Sequence, residues 1–164
     1  VVNSFQPDKA ILSALISSGA RLKVGDIVST FKSELEAFSF DATDCPDLFP
    51  PLAALAANCD GKSTIKGISR LTHKESNRAL TIQSELAKVG ITVQLLDDDM
   101  IIEGGQIQGG TIDSHNDHRI AMMGAILALN AINPITISNS EAINKSYPYF
   151  YEHLRALGVK TEEC

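Results

Sequence analysis

Two short stretches of the chain carry side chains suited to holding a small anion and moving a proton beside it. In the first, Lys74, Glu75 and Arg78 stand close together. Lys74 and Arg78 are four apart and share one face of a helix. In the second, Asn116-Asp117-His118-Arg119 opens an apolar run. Cations at a helix N-terminus oppose the macrodipole, so they do not serve the helix itself. Beside free backbone N–H groups they can hold an anion. Arg119 offers a planar fork to phosphate or carboxylate, His118 a proton or a hydrogen bond, and Glu75 a carboxyl for acid–base work. Taken alone, the first stretch reads equally as a solvated helix start with a Glu75–Arg78 pair worth about 0.3 kcal/mol.

Spacing adds two residues. The interval from Asp47 to Asp117 is nearly the same as that from Lys74 to Lys145. Asp47 reads as a helix cap or as a base or orienter facing a substrate hydroxyl. His115 and His118 are close enough to suggest a metal, but no third ligand candidate falls at a suitable spacing. No metal and no cofactor are therefore expected. Asp97-Asp98-Asp99 lacks the spacing of a calcium loop and reads as a hairpin turn.

The elements that must position these residues follow from periodicity. Apolar recurrence at helical spacing predicts helices over 7–18, 48–58, 74–89, 118–130 and 146–157. Alternation predicts strands over 20–24, 36–41, 63–68, 91–96, 100–103, 106–112, 134–138 and 159–161. Asp47 and Asp117 fall where N-caps belong, and Gly19, Gly90 and Gly158 where helices should end. The step from Gly19 to Gly90 nearly equals the step from Gly90 to Gly158, and both match the interval between the two aspartates. This period describes a β-α-β-α-β-β unit in about two copies, the first without its front, in a mixed α+β fold. Equivalent helices should then point the same way and gather their N-termini on one face.

Length fits one domain over 1–164, and the lack of a capped beginning leads us to expect a piece of something longer. A net charge of −6 argues against nucleic acid as the main partner. No run approaches the roughly 18 apolar residues of a membrane span. Cys45, Cys59 and Cys164 form no close pair, so neither a disulfide framework nor a zinc site is expected, and a reducing, cytoplasmic setting fits.

At these motifs the sequence resembles the C-terminal part of the EPSP synthase family. The carriers are His73-Lys-Glu-Ser-Asn-Arg78 through Gly90, Asp117-His-Arg-Ile-Ala-Met122, Asp47-Leu-Phe-Pro50, and Lys145. Asn77 stands where that family commonly has aspartate. The resemblance implies two similar domains, each of three β-α-β-α-β-β units, with helix N-termini facing the cleft between them. It implies transfer of the enolpyruvyl group of phosphoenolpyruvate to the 5-hydroxyl of shikimate 3-phosphate, with release of phosphate and without a metal. Arg78, Arg119 and Lys145 would hold phosphoenolpyruvate, with His118 beside the phosphate. Asp47 and Lys74 would contact the ring hydroxyls, Asp47 as base and Glu75 as the acid that protonates the methylene carbon. The family's N-terminal domain supplies further substrate contacts, so the isolated chain is expected to be inactive. Rival readings are an enolpyruvyl transferase acting on a nucleotide sugar and a non-catalytic anion-binding module.

Overall fold

The computed structural model describes residues 6–71 and 77–162. The first described element is a 3-10 turn over Pro7–Ala10 that runs into α1 (Ile11–Ser17). An antiparallel hairpin follows, β1 (Arg21–Val24) with β2 (Val28–Phe31). Next come β3 (Ser39–Asp41), a 3-10 turn over Pro46–Leu48, α2 (Phe49–Ala57), β4 (Lys62–Lys66) and a 3-10 turn over Ile68–Leu71. The central part is α3 (Arg78–Lys88), β5 (Thr92–Leu96), β6 (Asp99–Glu103), β7 (Gly110–Asp113) and α4 (His118–Ala128). The chain ends with β8 (Ile135–Ser138), a 3-10 helix over Ser140–Lys145 and α5 (Phe150–Ala156).

The repeat expected from the glycines is present. The parallel pair β3–β4 has Ser39 opposite Thr64, and the parallel pair β7–β8 has Gly110 opposite Ile135. Both members of the second pairing lie one Gly19-to-Gly90 interval after their counterparts in the first. The hairpins β1–β2 and β5–β6, which begin at Arg21 and Thr92, are offset by the same interval. Gly19, Gly90 and Gly158 all take the left-handed conformation, at φ 80°, 86° and 93°, where a side chain would be strained.

One four-stranded sheet, in the order β3-β4-β6-β5, forms the middle of the molecule. Its inward residues Ile65, Met100 and Ile102 are fully buried against α2 and α3, each worth about 2 kcal/mol in area removed from water. The two innermost helices pack on each other through small residues. Ala53, Ala54, Ala56 and Ala57 line α2, while on α4 Gly124 lets the helix lie close on Ile112 of β7 and Ile137 of β8. Gly104 is similarly required, because a Cβ there would collide with the carbonyls of Ala56 and Cys59.

Several boundaries differ from expectation. The helix expected over 74–89 begins at Arg78, because Asn77 leaves helical geometry and caps it by accepting from the Leu80 N–H at 3.5 Å. The strand expected over 106–112 is confined to β7, which starts only after Gly109, in left-handed conformation at φ 95°. The helix expected over 146–157 starts at Phe150, past Pro148, which disfavours helical geometry at Tyr147. No strand forms over 159–161; Thr161 instead receives a hydrogen bond from Arg155. The strand β2 was not expected at all.

Candidate functional site

Three helix starts converge, and the charges expected at them meet. Arg78, the first residue of α3, is enclosed, with 1% of its side chain exposed. Its Nε donates to Asp117 Oδ2 and one terminal nitrogen to Asp47 Oδ1, both at 2.9 Å. Asp117 is fully buried and caps α4 as expected, its Oδ1 accepting the Arg119 N–H at 2.9 Å. The side chain of Arg119 crosses to the start of α2, donating to Asp47 Oδ2 at 3.1 Å and to the Asp47 carbonyl at 3.3 Å. Two guanidinium groups thus hold two carboxylates. The Asp117 end of the cluster is sealed in the core, while the side chains of Asp47 and Arg119 remain 34% and 29% exposed.

The expected cap at Asp47 is absent. A 3-10 turn over Pro46–Leu48 already contains Asp47, and α2 follows with Phe49, Pro50 and Pro51. An N-cap side chain serves the N–H groups of the second and third helical residues, and prolines have none. Counted from Asp47, those residues are Phe49, whose N–H is taken by the Pro46 carbonyl, and Pro50, which has none, and the Asp47 carboxylate turns to the arginines. The conflict between cations and helix dipoles is resolved in the same way, by carboxylates from neighbouring repeat units.

Lys145 reaches the α4 start by another route. It does not open a helix but ends the 3-10 helix Ser140–Lys145, and its Nζ donates to the Asn116 carbonyl at 2.5 Å. His118, half-buried, is the first residue of α4. The structure therefore brings Asp47, Arg78, His118, Arg119 and Lys145 to the starts of α2, α3 and α4. Lys74 and Glu75 lie outside the described residues.

Sequence reasoning missed a second polar cluster. Glu85, two turns beyond Arg78 on the buried face of α3, is fully buried. It accepts from Lys88 Nζ with both oxygens (2.8 and 2.7 Å), from the Asp113 N–H (2.9 Å), and is 2.8 Å from His115 Nε2. Burial pushes this carboxyl up, but bonds from Lys88, His115 and the Asp113 N–H outweigh it and hold its pKa below the ordinary value. His115, considered beside His118 as a metal ligand, thus faces Glu85. His115 and Asn116 both take left-handed backbone, at φ 50° and 59°, a strain of about 1 kcal/mol or more each. The available signal was a glutamate two helical turns from Arg78, beside Ile82 and Leu86 on the face that turns inward. The buried thiols of Cys45 and Cys59 are free; burial pushes that of Cys59 up to about 11, so it is a poor nucleophile.

The fold, repeat units of mixed parallel and antiparallel pairing around two apolar helices, is that of the enolpyruvyl transferases, as two solved structures show. EPSP synthase from Acinetobacter baumannii superposes with a TM-score of 0.82 at 30% identity, over 93% of this chain and 39% of that one. The enolpyruvyl transferase NikO from Streptomyces tendae shares the fold at 22% identity and a TM-score of 0.71, over 93% of this chain and 35% of that one. The chain belongs to the EPSP synthase (3-phosphoshikimate 1-carboxyvinyltransferase) family, whose model matches residues 1–154. A 3-phosphoshikimate 1-carboxyvinyltransferase of Clostridium novyi is 42% identical over 164 residues. The alignment takes in 99% of this chain and 38% of that relative, so the chain spans well under half the length of the relatives it matches.

Proposed function

We propose that this chain forms part of an enzyme that transfers the enolpyruvyl group of phosphoenolpyruvate to the 5-hydroxyl of shikimate 3-phosphate, releasing phosphate. The observation that carries the reading is the convergence of Asp47, Arg78, Arg119 and Lys145 from separate elements, within a span that matches the EPSP synthase family. In this reading Arg119 and Lys145, the more open cations, take the carboxylate and phosphate of phosphoenolpyruvate, with His118 beside the phosphate. Arg78 completes that site while fixing Asp47 and Asp117. Glu75 gives a proton to the methylene carbon, which leaves an oxocarbenium-like centre at the adjacent carbon. The 5-hydroxyl oxygen attacks that centre as Asp47 removes its proton, and Lys74 orients the ring. Loss of phosphate from the adduct, with return of a methyl proton to a carboxylate, regenerates the double bond. In this account the charge developing on the departing phosphate is met by the more open cations, Arg119 and Lys145.

The remaining substrate contacts are assigned to the N-terminal domain, so the isolated chain is inactive in this account. A cytoplasmic setting accompanies it; among the described residues no helix is long and apolar enough to cross a membrane. The test is phosphate release from phosphoenolpyruvate by the intact enzyme, with shikimate 3-phosphate or a nucleotide sugar as acceptor. Turnover only with shikimate 3-phosphate supports the proposal, and turnover only with the sugar rejects it. Product formed by the purified chain alone would refute its inactivity.

A further inference from the structure

We propose that Glu85 is a positioning residue for the phosphoenolpyruvate half of the site, acting through the turn that leads into α4. This inference rests on the reading above. The turn over residues 113–117 is gripped at both ends by one helix. Arg78, at the start of α3, holds Asp117. Glu85, two turns later on the same face, holds the Asp113 N–H and the His115 ring.

Between these anchors lie two consecutive non-glycine residues in left-handed conformation, His115 and Asn116, a backbone that persists only where its surroundings over-determine it. The turn has a functional consequence at each end. Asn116 presents the carbonyl that Lys145 binds, and the next residue begins the cap that orients Arg119. Asp113 extends the network by accepting from the His115 N–H and from Asn139, which precedes the 3-10 helix carrying Lys145. Lys88, on the solvent side, neutralises Glu85 and keeps it an acceptor. Glu85 therefore sets the two cations assigned to phosphoenolpyruvate without touching either. Asp47, assigned to the ring hydroxyls, lies one step further along, joined to this network through Arg119 and held as well by Arg78.

Steady-state kinetics of the intact enzyme test this assignment. Glu85→Ala is expected to raise KM for phosphoenolpyruvate by about tenfold or more while KM for shikimate 3-phosphate stays within about twofold. Glu85→Gln, which keeps an acceptor oxygen for the Asp113 N–H, should recover most of the loss. His115→Ala removes a partly exposed side chain and should raise the same KM by about threefold; it carries the test if Glu85→Ala does not fold. Equal rises in both KM values, no rise, or no recovery with glutamine overturns the proposal. If the wild type does not turn over phosphoenolpyruvate, the functional reading fails independently. A crystal structure of His115→Ala then decides the positioning claim: displacement of the Lys145 ammonium from the Asn116 carbonyl supports it, and an unchanged contact overturns it.

Discussion

Asp47 and Asp117 occupy matching places in successive units, each before an apolar helix, yet they do different work. Asp117 is sealed in the core, caps its helix and neutralises a buried arginine. Asp47 makes no side-chain cap to its helix and shares its two oxygens between arginines from two other helices. The repeat determines where the carboxylates fall; the next few residues determine whether each is taken up by its own helix or left to partners from other helices. The hairpins show the same dependence on surroundings. Strand β6 is paired on both sides and buries Met100 and Ile102, whereas β2 pairs only with β1 among the described residues and leaves Phe31 exposed.

If this contrast is right, the two aspartates should separate in stability measurements. Asp117→Ala leaves the buried Arg78 charge poorly compensated and should cost ~3–5 kcal/mol in urea unfolding. The same substitution at Asp47 removes a partly exposed partner and should cost about 1 kcal/mol. Equal costs would break the distinction.

The Glu85 cluster sharpens it further through pH. The folded-state pKa of Glu85 is depressed below the ordinary value of 4.5, so the unfolded chain takes up its proton first as pH falls. The stability it contributes is complete above that value and fades as pH drops through the folded pKa. The stability gap between the wild type and Glu85→Gln should therefore narrow on acidification, as read from unfolding midpoints across that range. The smallest expected effect is at the cap of α3. Asn77→Ala removes a 3.5 Å bond and should cost about 0.5 kcal/mol, well below the loss at Asp117.

The sequence was informative where chemistry and period coincided. Arg78, Asp117 and Arg119 were legible because cations at helix starts conflict with local preference and so point to a partner. The partners themselves were not legible, because they come from other units. Asp47 looked like a cap because aspartate before a helix usually is one; the prolines that work against the cap, Pro50 and Pro51, stand in plain view three and four positions further on. Strand β2 was missed because its Val-Ser-Thr-Phe alternation is short, although the repeat that relates β1 to β5 also relates β2 to β6. Glu85 and His115 were hidden for a different reason. Their meeting depends on two consecutive left-handed residues, His115 and Asn116; both types tolerate that backbone singly, but nothing in the sequence marks them as adopting it together.

The central claim, that the Asp47 carboxylate held by Arg78 and Arg119 is chemical rather than structural, is tested most directly by turnover of Asp47→Asn in the intact enzyme. The account predicts a fall in kcat of about 100-fold or more in a protein that keeps its unfolding free energy within about 1 kcal/mol of the wild type. Retained turnover would contradict it, and so would a loss explained by unfolding.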